Sequence, residues 1–88
     1  QDAVHTFVSQ VAGPLIDADD MLIDTLCVLM DCMGSKTMAC EWLGIQRQTL
    51  YNRLEHVERL TGISQHDTVS WSAMLVGVKL IHELRALD

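Results

Sequence analysis

The sequence predicts an all-α fold, a small helical bundle of about five helices that contains a helix-turn-helix. Apolar residues recur at spacings of three and four along most of the 88 residues. Breaks that contain glycine separate these stretches, and the alternation typical of a strand does not appear. A chain this short builds one core, so we expect residues 1–18 to form an N-terminal helix and linker and residues 19–88 to form the helix-turn-helix domain.

The first two predicted helices each end at a glycine. Residues 3–12 place valine and phenylalanine on one helical stripe, and Gly13 and Pro14 stop it. The second helix runs over roughly residues 19–33, where aspartates at its start suit the partial positive charge of a helix N-terminus. Gly34 ends this helix.

Three further helices follow from their caps and spacing. A helix over about residues 36–43 is capped by Ser35, or by Thr37 if the boundary shifts by two residues. The next runs from about 46 to 60 and ends at Gly62. The last begins after a cap at Asp67 or Thr68. Its predicted apolar residues are Val69, Met74, Leu75, Val78, Ile81 and Leu84.

The charge of the chain is uneven. The formal net charge is −6, which opposes a nucleic-acid partner, because phosphate binding depends on lysine and arginine. Residues 1–33 hold six acidic and no basic side chains, whereas residues 34–62 hold four basic and three acidic ones. A local positive face is therefore possible on an acidic domain, since salt screens charges over about 8 Å.

Several function classes have no support in the sequence. Neither a nucleophile elbow, a phosphate-binding glycine loop nor a paired-carboxylate pattern appears, so we expect no enzyme activity. The three cysteines lack the spacing of a zinc site, so no metal and no other cofactor is expected, and buried thiols in a reducing cytoplasm fit best. No apolar run is long enough to span a membrane.

The stretch over residues 36–62 has the pattern of a helix-turn-helix. Two helices are separated by a short turn at Gly44, and Cys40 lies four residues before this glycine. We expect the second helix to cross over Cys40, where only a small side chain leaves enough room. Leu43, Ile45 and Leu50 are expected to fill the wedge between the two helices.

The outer side chains of the second helix of this pair suit the reading of DNA bases. We expect Arg47, Gln48, Tyr51 and Asn52 to read bases, since arginine bonds guanine and glutamine or asparagine bonds adenine in the major groove. A second group is expected to hold the phosphate backbone, namely Lys36, Thr49 and Arg53. Any small helical bundle also shows polar outer residues, so the pattern alone leaves an interaction module open.

The runs LIDTLCVLMDCMGSK and LGIQRQTLYNRLEHVERLTGI resemble the C-terminal helix-turn-helix domain of the PucR family of bacterial transcription regulators. The matching positions are Thr25, Leu26, Gly34, Leu43, Ile45, Arg47, Thr49, Leu50, Arg53, Leu54, Val57, Glu58, Leu60 and Gly62. The chain departs from the family pattern at Asn52, where a tyrosine is usual, and at Glu55 and His56, where a basic pair is usual. Fewer positive charges should weaken contact with phosphates.

The resemblance implies a cytoplasmic module that binds double-stranded DNA at the end of a longer regulator. It also implies a homodimer or higher homo-oligomer and an effector-sensing domain upstream. The alternative is a helical oligomerisation module with weak or no DNA binding, which the net charge of −6 favours.

Two features outside the helix pair carry structural expectations. Trp42 and Trp71 lie within helical apolar patterns, so we expect both in the core. The last helix holds more apolar residues than one face requires, so we expect it to offer a second face to another subunit.

Overall fold

Four helices occupy residues 20–87, the part of the chain that this computed structural model describes. They are α1 (Asp20–Asp31), α2 (Lys36–Leu43), α3 (Arg47–Thr61) and α4 (Thr68–Ala86). No strand occurs in this part of the chain. The all-α fold class is confirmed, with four helices in place of about five. The helix predicted over residues 3–12 and the linker to residue 18 lie outside the described residues.

Local capping explains where the helices start and stop. The Ser35 hydroxyl accepts a hydrogen bond from the backbone N–H of Met38 at 3.3 Å, so Ser35 and not Thr37 caps α2. The Asp67 carboxylate accepts from the N–H of Ser70 at 3.2 Å and caps α4. Because both caps use side chains next to the helix they start, their positions can be predicted from short stretches of sequence.

The end of α1 differs from the prediction. The helix stops at Asp31, and Met33 takes the left-handed conformation with φ 54° before Gly34 at φ 84°. Backbone bonds from Met33 to Met30 and from Gly34 to Leu29, both 2.9 Å, close this turn. The predicted helix extended to residue 33, but Met33 is 93% exposed because the chain has already left the helical path.

Helix α1 is the centre of the bundle. It packs against each of the other three helices, and α2 also packs against α3. The buried apolar side chains form one core, made of Leu22, Ile23, Leu26, Cys27, Leu29, Cys32, Ala39, Leu50, Leu54, Val57, Trp71, Met74, Leu75 and Val78. Helix α3 contributes Leu50, Leu54 and Val57, each fully buried. One side of α3 is thus held by the core, and the opposite side is left for solvent.

Helix α4 packs against α1 and against no other helix of the described region. Its buried face consists of Trp71, Met74, Leu75, Gly77 and Val78, so the expectation for Trp71 is confirmed. Val69 and Leu84 were among the predicted apolar residues of this helix, together with Met74 and Leu75. The structure shows them 79% and 55% exposed. They lie on the opposite side of the helix, because 100° per residue separates the two sets.

Candidate nucleic-acid interface

The turn between α2 and α3 is three residues long, Gly44 to Gln46. Gly44 has φ 67°, a conformation that favours glycine, and its N–H donates to the carbonyl of Glu41 at 3.3 Å. The N–H of Ile45 donates to the carbonyl of Cys40 at 3.1 Å, which completes a Schellman-type end for α2. Gln46 is extended and precedes α3 directly. These bonds fix the angle at which α3 leaves α2.

Helix α2 has two small residues before this corner. Ala39 is fully buried, whereas Cys40 is half-buried and packs against the core. Ala39 therefore has the more enclosed position, one residue before the Cys40 that the sequence pattern indicated. Leu43 and Ile45 are half-buried and Leu50 is fully buried, so the predicted wedge is apolar but open to solvent at its outer end.

The outer face of α3, on the side opposite Leu50 and Leu54, carries polar side chains. Its exposed members are Gln48, Thr49, Tyr51, Asn52, Glu55, His56 and Arg59, and Arg47 is exposed at the start of the helix. The four residues predicted to read bases are all among them, on the first two turns of the helix. Glu55 places a negative charge within the same face. The sequence therefore predicted which side of α3 is outward and polar.

Lys36 and Tyr51 are brought together across the corner. The Lys36 ammonium lies over the Tyr51 ring, 5.4 Å from its centroid, which is within the range of a cation–π interaction. Lys36 is the first residue of α2, and Tyr51 lies one turn into α3. A positive charge thus sits beside the outer face of α3, contributed by a different helix.

Gln48 and Asn52 contact each other on the outer face. The side-chain Nε2 of Gln48 donates to Oδ1 of Asn52 at 2.9 Å, and both side chains are exposed. Residues four apart lie one above the other on a helix, so this bond follows from their spacing. It aligns two amide groups along the surface of α3.

Arg53 points in another direction. Its Nη1 donates to Oγ1 of Thr25 on α1 at 3.1 Å, and the side chain is half-buried. The Thr25 hydroxyl in turn donates to the carbonyl of Met21 at 2.7 Å, so the fully buried hydroxyl is satisfied. Arg53 was predicted among the phosphate-holding residues. The structure shows it bonded to α1, a long-range contact that helical spacing could not reveal.

Trp42 was expected in the core, but it is 59% exposed. The inner side of α2 follows Ala39, Cys40 and Leu43, and Trp42 lies to one side of it. Met38, one turn earlier, is also exposed, at 44%. A helical wheel centred on Ala39 does not show this exposure, since it places Trp42 only 60° from Ala39.

Lys79 and Glu58 form contacts away from the outer face of α3. Lys79 pairs with Asp31 at 3.0 Å and with Glu83 at 3.1 Å, and the hydrogen bonds to these carboxylates raise the pKa of Lys79. The Glu58 carboxylate accepts two bonds from Gln65, at 2.8 and 3.2 Å, which lower the pKa of Glu58. Lys79 is therefore committed to the α1–α4 contact.

A known protein family matches most of the chain. The family model described as the PucR C-terminal helix-turn-helix domain matches residues 22–80, which span all of α2 and α3 and most of α1 and α4. Neither the curated proteins nor the solved structures contain a significant match. Within residues 20–87, no helix is long and apolar enough to cross a membrane, and no cluster of three metal-binding side chains occurs.

Proposed function

Since the chain belongs to the PucR C-terminal helix-turn-helix domain family, we propose that it binds double-stranded DNA in a sequence-specific manner. Helix α3 lies in the major groove, with its N-terminal half against the base edges. The observation that carries this proposal is the set of exposed polar side chains on the first two turns of α3, held outward by the bonded turn at Gly44.

The base-reading roles follow from side-chain chemistry. Arg47 donates two hydrogen bonds to guanine, and Gln48 and Asn52 are suited to adenine. The bond between Gln48 and Asn52 orients both amides before binding, which lowers the entropy lost when they meet a base. Tyr51 contacts the same groove with its ring edge and hydroxyl, while its ring face is covered by Lys36.

The phosphate backbone is held at the margins of the groove. Lys36 supplies a positive charge beside α3, and Thr49 supplies a hydroxyl on the opposite flank. Arg53 has five N–H donors, and its bond to Thr25 leaves others for a phosphate. With Glu55 in the same face and a net charge of −6, a single copy binds weakly.

Two copies acting together supply the missing affinity. A homodimer would place two α3 helices on half-sites about 34 Å apart or a multiple of it, because one turn of DNA separates equivalent groove faces. In this proposal residues 19–88 are the DNA-binding domain of a cytoplasmic, non-enzymatic regulator, and residues 1–18 link it to an upstream sensor domain.

The experiment starts with selection of duplexes from a random pool by the whole chain, followed by titration at several salt concentrations. We expect log affinity to fall linearly with log salt. Arg47→Ala should cost about 1–3 kcal/mol on the selected duplex and relax one base position. Lys36→Ala should weaken all duplexes alike and reduce the salt slope by about 1. Arg85→Ala, which removes an exposed charge at the far end of α4, is the matched control.

A second candidate function is favoured by the net charge and by the exposed apolar side chains of α4. It is a helical assembly module that joins subunits and contacts DNA weakly or not at all. Absence of duplex binding even at low salt, with self-association retained, would select this function over DNA reading.

A further inference from the structure

Helix α4 carries a second apolar face that no described helix covers. We call this face the stripe. It consists of Val69, Ala73, Val76, Leu80, Leu84 and Leu87. All six are exposed, from 50% at Val76 to 82% at Leu87 among the large residues. Their spacings of four and three keep them on one side of the helix, opposite the side that packs against α1.

We infer that the stripe is the contact between two copies of this chain, with the two α4 helices antiparallel. This inference rests on the two-copy part of the proposed function and gives it a surface. Spacings of three and four along a helix are those of a paired helical seam, and a two-fold dimer requires one surface that fits itself.

The order of side-chain sizes decides the direction. The smaller residues lie in the first half of the stripe and the leucines in the second half. An antiparallel pair places Val69 against Leu87, Ala73 against Leu84 and Val76 against Leu80, so each small side chain meets a large one. A parallel pair would instead place Ala73 against its own copy and leave a gap there.

The size of the stripe sets the strength of the dimer. From residue 69 to residue 87 the stripe is about 27 Å long and about one helix, or 10–12 Å, wide. This is about 300 Å² of projected surface per copy and about 600 Å² for the pair, roughly half the total of about 1,200 Å² at which stable interfaces begin. A second copy fits such a face as a reversible partner whose binding depends on concentration, and DNA with two half-sites would favour it.

Sedimentation of the whole chain without DNA tests the contact separately from DNA binding. We expect a monomer–dimer equilibrium over micromolar to millimolar concentrations, and Leu80→Glu should weaken it at least about tenfold. The matched control is His82→Glu, an exposed change on the other side of α4 that should leave association unchanged. A monomer at every concentration, or equal effects of both variants, would overturn the inference.

Cross-linking tests the direction. An equimolar mixture of Ala73→Cys and Leu84→Cys chains, oxidised together, should give the mixed disulfide, with the unchanged chain as control for Cys40. The two homodisulfides should be rare, since antiparallel pairing separates like positions by about 16 Å along the axis. Homodisulfides in excess, or no cross-link from either chain, would contradict the antiparallel pair even if Leu80→Glu does not fold.

Discussion

Replacement of Thr25 by valine removes the only described hydrogen bond between α3 and α1 that uses side chains alone. Thr25 is fully buried, and its hydroxyl accepts from Arg53 at 3.1 Å. Valine keeps the shape but not the hydroxyl. A hydrogen bond to a charged group contributes about 1.5–3 kcal/mol, and the half-buried guanidinium recovers part of this from water. We therefore expect Thr25→Val to lower the free energy of unfolding by about 1–2 kcal/mol.

The assay is unfolding in urea, monitored through the tryptophan fluorescence that changes when the buried Trp71 becomes exposed. In thermal unfolding the same loss corresponds to a decrease of about 4–16 °C in Tm for a domain of this size. Thr25→Ser keeps the hydroxyl and should lose only about 0.8 kcal/mol, the value of one methyl group. When Thr25→Val and Arg53→Met are combined, the loss of unfolding free energy should differ from the sum of the two single losses by at least about 0.5 kcal/mol. A coupling near zero would refute the reasoning.

The same variants separate two roles of Arg53. If Arg53 positions α3 through Thr25, Thr25→Val should weaken binding to every duplex without changing the salt slope. If Arg53 also contacts a phosphate, Arg53→Met should in addition reduce the slope by about 1. A slope that changes in Thr25→Val would contradict the positioning role, because that variant removes no charge.

Three further predictions concern stability and thiol chemistry. Gly44→Ala should lower the free energy of unfolding in urea by about 1–2 kcal/mol, because φ at Gly44 is 67° and alanine is strained there. The added carbon meets no atom within 4 Å, so no steric clash adds to this cost. Unchanged stability would contradict the prediction. Glu58 has a pKa below its ordinary 4.5 because two N–H groups of the α3–α4 loop bond it. The ionised Glu58 should stabilise the fold fully above pH 4.5, and this stabilisation should be lost as the pH falls through the lowered pKa. The difference in unfolding free energy between the unchanged chain and Glu58→Gln should therefore shrink in acid. A difference that stays constant with pH would contradict this. Ellman's reagent should react first with the half-buried Cys40, and with the buried Cys27 and Cys32 only when the chain unfolds. Burial also raises the pKa of the Cys27 thiol, which leaves less of the reactive thiolate. Equal reaction rates for the three thiols would contradict this.

Local signals predicted the helix-turn-helix well. Ser35, Gly44, Gly62 and Asp67 act within a few residues of their own positions, and all four cap helices as expected. The polar outer side of α3 followed from the position of Leu50 and its neighbours. These features depend on sequence separations shorter than one or two helical turns, which a single sequence reports directly.

Features that depend on packing between helices were not predictable in this way. The contact between Arg53 and Thr25 spans 28 positions of the chain, and no local pattern links them. In α4, Val69 and Trp71 both belong to stripes with spacings of three and four. Periodicity shows that two such stripes exist, but only packing against α1 decides which one is buried.

The central claim is that the outer face of α3 contacts DNA, and an amide-resolved NMR titration of the whole chain with a selected duplex tests it most directly. We expect the largest shifts at Arg47, Gln48, Tyr51 and Asn52, with smaller ones at Lys36. Shifts confined to α1 and α4, or none at low salt, would contradict the claim.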